Sequence, residues 1–122
     1  MINIPPTDKT PSIQFELESG SLSIEGKSLV ENAYEFYKPL LDELKEYCKN
    51  PCTQTIINIK LEYFNTSSSK SILDVLRKAE DIKSSSKIKV NWYYEKCDDD
   101  MLEVGEDYQS IIDIPFTMIE IS

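Results

Sequence analysis

Ile13, Phe15 and Leu17 alternate with Gln14, Glu16 and Glu18, and Leu22 and Ile24 resume the alternation after Ser19-Gly20. A period of two marks a half-buried strand, and Ser-Gly between two such runs marks a turn. The pair predicts a β-hairpin, with Gly26 closing it. Residues 31–49 change to a period of 3.6 through Ala33, Phe36, Tyr37, Leu40, Leu44 and Tyr47, with acidic residues mostly elsewhere. That pattern predicts an amphipathic helix. Pro39 removes one of its hydrogen bonds, so a kink or two segments is expected there, and Asn50-Pro51 ends it. Residues 54–63 return to alternation, with Thr55, Ile57, Ile59 and Leu61 on one face. A second helix over 67–83 uses Ile72, Leu73, Leu76, Ala79 and Ile82 as its buried stripe. Ile88, Val90, Trp92 and Tyr94 form the next strand. A short helical stretch around 106–112 and a last strand over 115–121 complete the pattern.

The element order is strand, strand, helix, strand, helix, strand, helix, strand. Strand–helix–strand repeats favour parallel neighbours, while the opening hairpin is antiparallel. The expected fold is α/β: a single domain with a mixed five-stranded sheet and helices packed on it. Residues 1–11 carry three prolines and no period, and read as an extended N-terminal arm before a domain over 12–122. A chain of 122 residues is long enough to bury roughly two-thirds of its unfolded surface without metal or disulfide staples.

Charge narrows the partners. Thirteen basic against twenty-two acidic residues give −9. That balance repels nucleic-acid backbones and anionic lipid, and it complements a basic patch on a protein. No apolar run approaches the ~20 residues of a membrane span, and the N-terminus lacks the basic and apolar regions of a secretory signal. Cys48, Cys52 and Cys97 make an odd count, which fits a reducing compartment, so the cytoplasm is expected. Histidine is absent, which removes His-based triads, His-ligated metals and His phosphorelay chemistry. No cofactor is expected.

The chemistry that remains concentrates in Leu61-Glu-Tyr-Phe-Asn-Thr66-Ser-Ser-Ser-Lys70. An apolar strand ends there, four hydroxyl residues follow, and a helix begins. The first turn of a helix has unpaired N–H groups and the positive end of the peptide dipole. One hydroxyl or Asn65 suffices to cap it. Four exceed that need and raise a second reading, in which a phosphate is attached at the helix start. Tyr63, Phe64, Trp92 and Tyr93 are aromatic candidates for a protein-binding surface, against core packing as the plainer reading. The run Asp98-Asp99-Asp100 fits neither frame of a calcium loop and reads as a solvated acidic loop. The cysteines lack zinc or redox spacing and read as idle thiols. A constitutive adaptor, with the hydroxyls only capping a helix, and a small thiol enzyme are the alternatives.

Several words occur together and in order: Glu31-Asn-Ala33, Phe36-Tyr-x-Pro-Leu40, the Leu61–Lys70 segment, Val90-Asn-Trp-Tyr-Tyr-Glu95, and Asp100-Met-x-Glu-x-Gly-Glu-Asp107. They resemble the SiaC family of bacterial regulatory phosphoproteins over nearly the whole chain. Val30 stands where the family pattern has a proline. The resemblance implies a STAS-like fold and a switch phosphorylated on threonine, which carries over to Thr66, with Asn65, Ser67, Ser68 and Lys70 in support. It implies a histidine-kinase-like Ser/Thr kinase and a PP2C-type phosphatase as partners. It also implies that the unmodified form binds and activates a diguanylate cyclase, in cyclic-di-GMP signalling and biofilm formation.

Overall fold

The computed structural model describes residues 2–121; Met1 and Ser122, the outer ends of the expected arm and domain, lie outside the described residues. The elements run β1 (Ile2–Ile4), β2 (Ser12–Glu16), β3 (Ser21–Ser28), α1 (Ala33–Tyr47), β4 (Gln54–Phe64), α2 (Thr66–Glu80), β5 (Lys87–Glu95), α3 (Asp99–Ile111) and β6 (Phe116–Ile121). All strands join one sheet in sequence order. The β1–β2 and β2–β3 pairs are antiparallel, and β3 to β6 run parallel. Each parallel crossover carries one helix and steps in the same direction. Crossovers of one hand that never reverse place their helices on one face.

Register explains the core. Ile2, Phe15, Leu22, Ile57, Val90 and Phe116 form one row across the whole sheet. Ile4, Ile13, Ile24, Ile59, Trp92 and Met118 form a second row on the same face. The buried stripes of the helices close over these rows: Tyr37, Leu40 and Leu44 from α1, and Ile72, Val75, Leu76 and Ala79 from α2. Burial at about 25 cal/mol per Å² makes this single cluster the main stabilising contribution.

Several expectations need correction. The sheet has six strands, not five. The extra one, β1, comes from the stretch expected to be an extended arm. Three residues before Pro5-Pro6 carry too little period to reveal it, yet Ile2 and Ile4 align with Phe15 and Ile13. Gly26 does not close the hairpin. It sits inside β3 at φ 113°, beside a register shift that lets β3 run on until Ser28 pairs with Phe64. Helix α1 runs unbroken through Pro39. Pro39 is exposed, so the carbonyl it leaves unbonded lies on the solvent side.

The third helix is the largest correction. It begins at Asp99 rather than near residue 106. The acidic run expected to be a loop is its start: Asp98 Oδ1 accepts from the Met101 N–H at 3.1 Å, and Asp99 and Asp100 fill the first turn. Carboxylates there are favoured by the helix dipole. The helix lies close on the sheet because Gly105 lets it. A Cβ at Gly105 would stand 2.5 Å from Trp92 Cδ1, while Trp92 Nε1 donates to the Met101 carbonyl at 3.0 Å.

A Gly105→Ala substitution therefore has the opposite sign from that in an ordinary helix interior, where alanine gains about 1 kcal/mol over glycine. Overpacking against Trp92 is expected to cost 1–3 kcal/mol net or force α3 outward, to be measured by urea denaturation followed by tryptophan fluorescence.

Candidate functional site

The β4–α2 junction is built from residues far apart in sequence. Asn65 caps α2: its Oδ1 accepts from the Ser68 N–H at 2.8 Å. Its Nδ2 donates to the Val30 carbonyl at 2.9 Å, and its own N–H donates to the Ser28 carbonyl at 3.1 Å. Asn65 thus ties the helix start to the loop before α1 and to the end of β3.

Beneath it lies a buried chain of hydroxyls. Ser28 Oγ donates to Ser68 Oγ at 2.7 Å, and Ser68 Oγ donates to the Ser28 carbonyl at 2.9 Å. The Tyr37 hydroxyl sits 2.7 Å from Ser28 Oγ. Each hydroxyl has one proton, and Ser28 has already given its own, so Tyr37 is the donor in that pair. The order of donation is Tyr37 to Ser28 to Ser68 to the Ser28 carbonyl. All three residues are fully buried. On the α3 side, the Tyr108 hydroxyl donates to the Ser69 carbonyl at 2.7 Å, and its ring packs edge-on against Trp92 with centroids 5.5 Å apart. Burial pushes the Tyr37 and Tyr108 phenols up to about 12.

The expected site residues separate clearly. Thr66 and Ser67 are exposed, at the first and second helical positions, where no carbonyl lies one turn back for their N–H groups. The Thr66 hydroxyl enters no hydrogen bond among the described residues. Ser68 is sealed, and Ser69 Oγ donates to the Thr66 carbonyl at 2.8 Å. Lys70 is exposed one turn beyond Thr66. Helix α2 has no acidic residue in its first turn, whereas α1 has Glu35 and α3 has Asp99 and Asp100. In a chain of charge −9, this helix start is left open to an anion.

The aromatic candidates do not form one surface. Tyr63 is 58% exposed beside the junction. Phe64 is half-buried, its ring edge-on to Trp92 at 6.4 Å. Trp92 is fully buried core, so its expected role as a partner contact is corrected: its indole is consumed by α3 and Tyr108. Tyr93 lies on the opposite face of the sheet, in a groove with Lys60 and Glu62. Sequence reading missed Ser28, Tyr37 and Tyr108. Tyr37 and Tyr108 read as ordinary apolar-stripe positions, and nothing local marks Ser28 as the partner of a residue forty positions on. Among the described residues no group of His, Cys, Asp and Glu can hold a metal ion, and Cys48, Cys52 and Cys97 are free thiols.

Comparisons with known proteins agree with one another. Residues 4–121 match the model of the SiaC family of regulatory phosphoproteins. An uncharacterized protein of Pseudomonas aeruginosa (strain UCBPP-PA14) is 28% identical over 118 residues, covering 96% of this chain and 94% of that one. The crystal structure of the diguanylate cyclase SiaD in complex with its activator SiaC from Pseudomonas aeruginosa matches with a TM-score of 0.91 and 27% identity, over 99% of this chain and 100% of that chain. Apo-SiaC from the same organism matches with a TM-score of 0.87 and 28% identity, over 97% of both chains.

Two outcomes test this geometry. Asn65→Ala is expected to cost about 1 kcal/mol in urea denaturation, the usual value of a lost N-cap. The phenols supply the second. An unfolded tyrosine ionises near pH 10, while the folded chain holds the Tyr37 and Tyr108 protons to about 12. Their contribution is complete below about pH 10 and is lost as pH rises, at about 1.4 kcal/mol per unit for each phenol. Unfolding free energies between pH 9 and 12 are expected to fall less steeply in a Tyr37→Phe/Tyr108→Phe chain than in the wild type.

Proposed function

The chain belongs to the SiaC family of regulatory phosphoproteins, and on that premise we propose that it is a cytoplasmic switch whose binding to an effector is gated by phosphorylation of Thr66. As a member of a regulatory family it is a regulator rather than an enzyme. The observation that carries the proposal is the position of Thr66: an exposed, unengaged hydroxyl on a rigidly held helix start with no carboxylate in its first turn. Tyr63 and Phe64, next to it, are the proposed effector contacts. Asn65 and Ser68 hold the turn, Ser67 leaves a second N–H open, and Lys70 supplies a counter-charge. The regulatory domain in this reading is residues 12–122 with β1 added at its edge, and its fold is STAS-like.

The effector is proposed to be a diguanylate cyclase, by analogy with the SiaC that activates SiaD. A Ser/Thr kinase of the histidine-kinase-like type adds the phosphate and a PP2C-type phosphatase removes it, in a cyclic-di-GMP pathway that governs biofilm formation. A phosphate at Thr66 adds about −1.5 to −2 charge and three acceptor oxygens. Within the chain it sits at the positive end of α2, one turn from Lys70. At an interface it introduces a charge that must be desolvated or repaired by the effector. A penalty of ~2.8 kcal/mol weakens binding a hundredfold.

Calorimetric titration of the effector tests this reading. Thr66→Ala is expected to bind as tightly as the wild type. Thr66→Glu and the kinase-treated chain are expected to bind at least about a hundredfold more weakly while remaining folded by circular dichroism. Equal affinity of the kinase-treated and untreated chains would overturn the gate.

A further inference from the structure

The sheet face away from the helices is bare. Parallel sheets are normally covered on both faces, yet β3 to β6 are parallel here and carry helices on one side only. A row of neutral polar side chains crosses that face through all six strands: Asn3, Gln14, Ser23, Asn58, Asn91 and Thr117. Asn91 Nδ2 donates to Asn58 Oδ1 at 2.9 Å within it. Half-buried Ile56, Tyr93 and Ile119 flank the row.

Charge on this face differs from that of the whole chain. Glu16, Glu25, Glu62 and Glu95 share it with Lys60, Lys87 and Lys89, which leaves it nearly neutral on a molecule of charge −9. None of these lysines enters a salt bridge among the described residues. The signs are also distributed by column. In the row below the polar one, Glu16 of β2 and Lys89 of β5 lie on either side of Ser21 and Ile56. In the row above, Glu25 of β3 lies beside Lys60 of β4.

We infer that this face is the contact between two copies of the chain, related by a two-fold axis that runs along the strands between β3 and β4. That operation exchanges β2 with β5 and β3 with β4. It sets Glu16 against Lys89 and Glu25 against Lys60 of the second copy, each pair twice. It sets Gln14 against Asn91 and Ser23 against Asn58, side chains that both donate and accept. The self-complementary pattern is what an isologous contact requires. Six strands about 4.8 Å apart and ~20 Å of strand length give a face of about 600 Å² per copy. The total, about 1,200 Å², is at the lower limit of a specific interface and fits a transient dimer. Both copies keep their helices and Thr66 facing outward, so the inference stands independently of the phospho-switch.

Sedimentation equilibrium over a concentration series tests it. The wild type is expected to rise from the monomer mass toward twice that mass below about 500 µM. Glu16→Lys and Lys89→Glu are each expected to weaken the dimer at least about tenfold, and the combined Glu16→Lys/Lys89→Glu chain to restore it to within about threefold. The exchange of Glu25 and Lys60 gives an independent repeat at the other row. A monomer throughout the series, a dimer indifferent to single reversals, or a double exchange that fails to restore association would overturn the inference.

Discussion

Ser28 is the residue on which the β4–α2 junction depends. Its carbonyl accepts from Asn65 N–H and from Ser68 Oγ, and its hydroxyl links Tyr37 to Ser68. A buried hydroxyl without a partner costs roughly 1–3 kcal/mol, so these groups are stable only together. Each fixes the next, because every proton in the chain of donation is committed. The chain joins α1, β3 and α2 at one point, and Tyr108 adds α3 through the Ser69 carbonyl. The first turn of α2 is therefore held from below by three elements. What it presents upward, Thr66 and Ser67, is set by what it must bury.

The bulge at Gly26 makes this possible. Without the register shift, β3 would bring a different residue opposite Phe64. The φ of 113° there suits glycine and no other common residue. A local backbone choice in one strand thus decides where a hydroxyl lies beneath a helix forty residues later. Gly105 plays a similar part on the other side, where its missing side chain lets α3 lie on Trp92 and brings Tyr108 to Ser69.

Hydrophobic period made most of the fold legible. Alternation at Ile13–Ile24, 54–63 and 88–94 reflects a sheet with one buried face, and the strands lie where it puts them. The misses have physical causes. Ile2–Ile4 is too short for period to register. Asp98–Asp100 is too polar to look like a helix, because capping and dipole energy favour carboxylates where a hydrophobic pattern is silent. The location of Thr66 at a helix start was readable from Phe64-Asn-Thr-Ser. Its clamp was not, since Ser28, Tyr37 and Ser68 meet only through tertiary packing. Trp92 looked like a surface anchor by residue type, and register places it in the core.

Of the four consecutive hydroxyls, Ser68 is sealed and Ser69 is bonded to the Thr66 carbonyl, while Thr66 and Ser67 stay exposed, and Thr66 is the proposed acceptor. Site-resolved mass spectrometry after reaction with the cognate kinase tests this assignment most directly. Phosphate is expected on Thr66 and on neither Ser68 nor Ser69, and phosphorylation is expected to be lost in the Thr66→Ala chain. Phosphate on Ser68 of the folded chain would contradict it, because that hydroxyl would have to leave the bonds that hold the turn together.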